Sequence, residues 1–281
     1  MTWRRFIIAL WQVATGCRRR RPISRCSSWR LAGTLLGIAA CVVIPGMVFA
    51  GSVFADDDGG KQEEEFVSTL FLATPATPQD QGELSISSLA THFERKGGRE
   101  ANVALGLGYG ITDRLTLEAE APYTVRNPST EDEHSGFGDI HLSGLYNFFR
   151  TESTLASANL GINVPTGSKD GDLGTRSVEW EPSLLLAHRF GHFELDAGLG
   201  GAFAASKTAL TYSLAAARPV GPVKAILELS GFCGSDRSVY LTPGVLWAHH
   251  DLEVSMGIPV GLNGSSDHWG IVFQISCTLR P

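Results

Sequence analysis

Leu115-Thr116-Leu117-Glu118-Ala119-Glu120-Ala121 places an apolar side chain at every second position and a polar one between. The same alternation runs through Phe193-Glu194-Leu195-Asp196-Ala197-Gly198-Leu199. It returns in Leu252-Glu253-Val254-Ser255-Met256-Gly257-Ile258 and in Ile271-Val272-Phe273-Gln274-Ile275-Ser276-Cys277. A period of two belongs to an extended chain, where successive side chains point to opposite faces. Each stretch therefore reads as a strand with one apolar and one polar face. About twelve such segments follow one another, at 83–93, 101–110, 114–124, 138–149, 154–165, 178–189, 193–204, 208–218, 223–233, 238–248, 252–262 and 269–279. Each has the length a tilted strand needs to cross an outer membrane. Past Ala55 no stretch is apolar for long enough to make a membrane-spanning helix.

The connections alternate in length. Thr112-Asp113, Arg150 to Ser153, Phe190 to His192, Pro219 to Pro222 and His249 to Asp251 are short. Arg126 to Gly136 and Thr166 to Ser177 are long and charged. Short turns on one side and long loops on the other describe an outer-membrane barrel. With the first strand running outward, Tyr109, Phe148, Phe190, Phe193 and Trp247 fall at periplasmic strand ends. Tyr123, Trp180, Phe203 and Trp269 fall at extracellular ends, so two interfacial aromatic belts emerge. The expected fold is all-β, a transmembrane antiparallel up-and-down β-barrel of about 12 strands over residues 82–281. A soluble antiparallel sandwich would alternate too and is the competing architecture. Pro182, Pro243 and Pro259 fall inside expected strands, where they read as bulges or strand boundaries. Segment 83–93 changes phase around Ser87-Ser88.

Composition divides the chain. Residues 1–55 carry eight arginines and no Asp, Glu or Lys. Removing those eight from 23 basic residues leaves 15 against 29 acidic ones, a net of −14 behind a whole-chain value of −6. That balance argues against nucleic acid as a partner. The basic stretch ends at Arg30, an apolar run follows from Leu31 to Phe54, and Asp56-Asp57-Asp58 comes after Ala55. This order reads as a secretory signal peptide over 1–55, cleaved after Ala55. An uncleaved anchor and a lipoprotein box at Ile38-Ala39-Ala40-Cys41 are the alternatives. Residues 56–81 read as an N-terminal periplasmic extension or plug. An acidic, proline-containing terminus favours the extension, and Phe66-Val67-Ser68-Thr69-Leu70-Phe71-Leu72 is the run a plug would use. Three of five cysteines lie before residue 55, and Cys233 and Cys277 are expected as free thiols on separate strands.

Three motifs carry a family likeness. They are Gly106-Leu107-Gly108-Tyr109-Gly110-Ile111-Thr112-Asp113-Arg114-Leu115, Gly136-Phe137-Gly138-Asp139-Ile140 and Gly161-Ile162-Asn163-Val164-Pro165-Thr166-Gly167. Their order resembles a family of bacterial outer-membrane proteins called "putative MetA-pathway of phenol degradation", often described as transporters. The resemblance runs from about residue 80 to the end. It implies passage of small aromatic or hydrophobic compounds across a Gram-negative outer membrane. The chain departs from such barrels by ending Leu279-Arg280-Pro281 rather than in an aromatic residue.

With apolar residues facing lipid, the opposite face lines the lumen. The candidates are Arg114, Glu118, Glu120, Asp139, His141, Glu179, Glu181, Arg189, Glu194, Asp196, Lys224, Glu228 and Glu253. A charge facing lipid at mid-depth costs about 2–4 kcal/mol for Arg or Lys and less for Asp or Glu, so inward placement is preferred. Nine of these are acidic and three basic, which predicts a cation-preferring lumen. Pairing of these charges across a filled interior is the alternative. No cofactor is expected. The partners expected are outer-membrane lipid, the barrel-assembly machinery and a small-molecule solute.

Catalytic signals are thin. His141-Leu142-Ser143 resembles the His-x-Ser pair of outer-membrane phospholipases. A serine nucleophile needs its base within hydrogen-bond reach and a third group to orient that base. Here the pair faces the expected lumen, whereas a lipase needs its site toward lipid. Asp170-Gly171-Asp172 offers calcium ligands, but Thr175 stands where an EF-hand loop needs glycine. His249-His250-Asp251 sits in an expected turn. A channel is the leading expectation, with a lipid hydrolase using His141 and Ser143, or a non-conducting structural barrel, as alternatives.

Overall fold

A computed structural model describes residues 66–280 apart from 130–131, 169–172, 206 and 235–236. The expected signal peptide, residues 56–65 and Asp170-Gly171-Asp172 lie outside the described residues. Fourteen strands follow in order. They are β1 (Leu84–Arg95), β2 (Gly98–Thr112), β3 (Leu115–Pro128), β4 (His134–Phe137), β5 (Ile140–Arg150), β6 (Thr154–Val164) and β7 (Glu179–Phe190). Then come β8 (Phe193–Ala204), β9 (Lys207–Val220), β10 (Val223–Cys233), β11 (Arg237–His249), β12 (Leu252–Gly257), β13 (Val260–Gly261) and β14 (Trp269–Leu279).

Every pairing is antiparallel, most join sequence neighbours, and β14 returns to pair with β1 from Leu84↔Leu279 to Glu94↔Trp269. The sheet is a closed barrel without a free edge. Both β4 and β5 pair with β3, and both β12 and β13 lie between β11 and β14. Each of these two pairs is one interrupted stave, so the barrel has twelve. Ring closure excludes the open sandwich.

Alternation sets the two faces. Along β7, Leu184 and Leu186 point outward and exposed, while Leu185 and Ala187 are buried inside. Exposed leucines on β2, β3, β6, β8, β9 and β10 repeat the pattern, giving the barrel an apolar outer wall. Strand β1 keeps one phase through Ser87-Ser88, with Leu89, Thr91 and Phe93 buried inside. Its outward small residues produced the apparent phase change. The turns Gly191-His192 and Gly221-Pro222 place glycine at φ 60°, a left-handed conformation that two-residue hairpins demand.

The three prolines mark irregular wall. Pro259 separates β12 from β13. Opposite it the β11 ladder lapses at Thr242-Pro243, between Leu241↔Val260 and Gly244↔Gly257. Pro182 lies where the β7–β8 ladder lapses between Trp180↔Phe203 and Ser183↔Gly200. Proline has no N–H to donate at these rungs.

Candidate functional site

Two polar rungs run inside the barrel across β3, β5, β6 and β7. One is Glu120, His141, Asn163 and Glu179; the next is Glu118, Ser143, Gly161 and Glu181. Asn163 Nδ2 donates to Glu179 and Glu181, at 3.2 Å each. His141 is 5% exposed, and its Nε2 has no hydrogen-bond partner among the described residues. This wall concentrates four carboxylates on one side of the interior.

Residues 66–81 fill another part of the interior, with the apex against β8, β10 and β12 and the ends reaching β3, β6 and β7. Val67 N–H donates to Glu194 at 2.8 Å. Ser68 and Thr69 hydroxyls donate to Glu253. Phe71 N–H and Leu72 N–H donate to the fully buried Glu228 at 2.8 and 3.0 Å. The chain then descends, with Ala76 carbonyl accepting from Ser157 and Gln79 N–H donating to Thr116. Thr77 Oγ1 donates to Val67 carbonyl at 2.9 Å and closes the base of the loop. Glu194, Glu253, Ser157 and Thr116 belong to the short-turn ends of their strands, while Glu228 is at the middle of β10. The segment is thus a loop entering from the short-turn end, with its apex near mid-depth. Leu70, Phe71 and Leu72 pack there with Ile226, Leu246 and Val272 in one buried apolar cluster. Arg189 stacks on the Phe66 ring at 4.1 Å.

At the long-loop end a second polar group braces the wall. Glu100 accepts from Arg95 and Arg126 at 2.9 Å each, and Arg95 stands 3.7 Å from Asp267. Tyr240 Oη accepts from Asp267 N–H at 2.6 Å, drawing loop 262–268 inward. Burial holds the Asp267 carboxyl above the ordinary aspartate range, and Glu100 pushes the same way against Arg95.

Most lumen candidates face inward as expected. These are Glu118, Glu120, His141, Glu179, Glu181, Arg189, Glu194, Asp196, Lys224, Glu228 and Glu253. Two lie outside the strands. Arg114 is exposed in the turn between β2 and β3, because β3 begins one residue later. Asp139 falls between β4 and β5 and clamps the following loop. It accepts from Gly167 N–H at 2.8 Å and from Thr175 N–H and Oγ1 at 2.6 Å each.

The belt residues Tyr109, Tyr123, Phe148, Trp180, Phe190, Phe193, Phe203 and Trp269 are exposed on the outer face, and Trp247 is half-buried there. Phe137, Tyr146 and Phe149 join them, and Tyr123 meets Phe137 edge-on at 5.3 Å. An apolar groove of about 800 Å³ opens on this face around Tyr146, Leu160, Pro182, Leu199 and Phe203, where the β7–β8 ladder lapses.

The catalytic reading gains no geometry. Ser143 Oγ donates to Glu118 at 3.4 Å, and both Ser143 and His141 face inward. Cys233 and Cys277 are free thiols. Among the described residues no three His, Cys, Asp or Glu side chains gather to hold a metal, and His249-His250-Asp251 spans the end of β11 and the turn after it.

Among solved structures, the COG4313 outer membrane channel from Pseudomonas putida F1 is similar at 15% identity and a TM-score of 0.63, covering 73% of this chain and 98% of that one. KdgM porin shares 8% identity with a TM-score of 0.51, covering 70% of this chain and 99% of that one. NanC porin shares 8% identity with a TM-score of 0.50, covering 70% of this chain and 100% of its own. The shared property at these identities is the fold, a barrel of the outer-membrane type. No curated protein matches the chain by sequence. Residues 69–239, more than half of the chain, match the family model described as "Putative MetA-pathway of phenol degradation", and the chain belongs to that family.

Proposed function

We propose that the protein is a passive outer-membrane channel for small molecules, held closed at rest by residues 66–81. The observation that carries this reading is how that loop is held. Its backbone and hydroxyl groups lean on Glu194, Glu228 and Glu253 through hydrogen bonds, with no covalent link. Such contacts are each worth about 1.5–3 kcal/mol, so the loop is held firmly but reversibly. The carboxylates of β3 and β7 then line the route and favour cations over anions. The family description supports small aromatic or hydrophobic compounds as cargo. The chain is exported by its N-terminal signal, inserted by the barrel-assembly machinery and surrounded by outer-membrane lipid. Its role requires no reaction and no cofactor.

Planar-bilayer recording tests this reading on the mature chain and on a variant lacking residues 66–81. The variant should conduct more, and its reversal potential under a salt gradient should show cation preference. Anion preference would remove the acidic-lumen reading, and absence of current from both proteins would remove the channel.

A further inference from the structure

The apex of the inserted loop rests on a socket shaped for an aromatic ring. Gly244 and Gly257 are directly paired across β11 and β12, both on the inner face. A Cβ on Gly257 would stand 2.7 Å from Cγ and Cδ1 of Phe71, and a Cβ on Gly244 would overlap the far edge of the same ring. Two facing glycines give a floor with no side chains, against which a flat ring can lie. Ile226, Leu246 and Val272 belong to the same apolar cluster as the ring.

The rim is polar. Glu228 is completely buried and is satisfied by the Phe71 and Leu72 amides. Thr242 and Ser255 lie on the inner face two residues before each glycine, 0% and 2% exposed. Neither hydroxyl oxygen has a hydrogen-bond partner among the described residues. Buried hydroxyls are ordinarily paired, so these two beside the glycine floor are open to a further partner. The β11 ladder also lapses at Thr242-Pro243, so the wall is irregular there.

We propose that this socket is a binding site for a small phenolic solute, and that Phe71 occupies it as an intramolecular stand-in. A phenol would lay its ring on the paired glycines and donate its O–H to Glu228, replacing an amide donor that leaves with the loop. The orphan hydroxyls of Thr242 and Ser255 supply further partners for a ring substituent. Solute and Phe71 compete for one site, so solute binding favours the state with the loop withdrawn. The inference rests on the channel reading for its consequence, though not for the binding itself.

Phenol binding to the detergent-solubilised mature barrel, measured by calorimetry, tests it. Phe71→Ala should bind phenol at least about tenfold more tightly than wild type, because a tethered competitor at millimolar effective concentration has been removed. Adding Gly257→Val to that variant should abolish the gain by refilling the socket. Equal affinity of wild type and Phe71→Ala, or tight binding that survives Gly257→Val, would overturn the proposal. Heat-modifiable gel mobility checks that each variant is folded. Should Phe71→Ala fail that check, wild-type recordings decide. Phenol should raise open probability and cyclohexanol, with the same hydroxyl on a puckered ring, should not; equal effects would overturn the proposal. Loss of the channel reading is separately visible, as a variant lacking residues 66–81 that folds but carries no current.

Discussion

The two sides of the barrel interior solve the problem of inward-facing carboxylates differently. On β8, β10 and β12, Glu194, Glu228 and Glu253 receive donors from a loop outside the sheet. On β3 and β7, Glu118, Glu120, Glu179 and Glu181 stand on adjoining rungs with Ser143 and Asn163 of the wall itself beside them. A carboxylate taken out of water is costly unless hydrogen-bonded. On the proposed channel reading, the first group anchors a removable part and the second belongs to the permanent lining. Similar residues, alternating identically, thus differ in whether their donors come from an inserted segment or from the wall.

That division is breakable by substitution. Glu228→Ala leaves the Phe71 and Leu72 amides without acceptors, and each lost bond to a charged group is worth about 1.5–3 kcal/mol. It should lower the melting temperature and raise conductance together; unchanged conductance would deny that this side is a latch. On the outer wall, Leu184→Arg places a charge at the middle of β7 and should cost about 2–4 kcal/mol of barrel stability with selectivity unaltered. Glu179→Gln should instead reduce cation preference with little change in open probability; the reverse pattern would merge the two sides. Ser143→Ala removes one long hydrogen bond and should cost below about 1 kcal/mol. Loss of a measurable lipid-hydrolysing activity in that variant would revive the enzymatic alternative. The smallest effect concerns Asp267. Its raised carboxyl contributes stability that is fully present below the ordinary aspartate value and is lost as pH rises through the raised one. Asp267→Asn should flatten that part of the melting-temperature profile, and an unchanged profile would place the sensitivity elsewhere.

The strands were legible because alternation is a local signal repeated about a dozen times. The outward placement of the aromatics followed from it, since the side of the sheet was readable. Arg114 was misplaced because a shift of one residue at a strand end moves a side chain from wall to turn. The inserted loop was harder. Phe66 to Leu72 stood out as apolar, but its acidic and proline-containing flanks argued for a free extension. Its partners Glu194 and Glu228 lie more than a hundred residues away, and no pattern within the segment points to them. Gly244 and Gly257 left no trace, since a glycine on the polar face does not disturb the alternation.

The seam between β1 and β14 joins the two ends of the barrel, from Leu84↔Leu279 to Glu94↔Trp269. Pairings of such long sequence separation form late, because the whole intervening chain must be ordered before they are rewarded. Residues 66–81 run straight into β1, with Gln79 Nε2 hydrogen-bonded to Ser85 and Gln81 N–H to Asp113. The piece that fills the bore is therefore tied to one lip of the last joint. On the proposed reading, assembly seats it as the cylinder zips shut, and the barrel comes out of membrane insertion already stoppered.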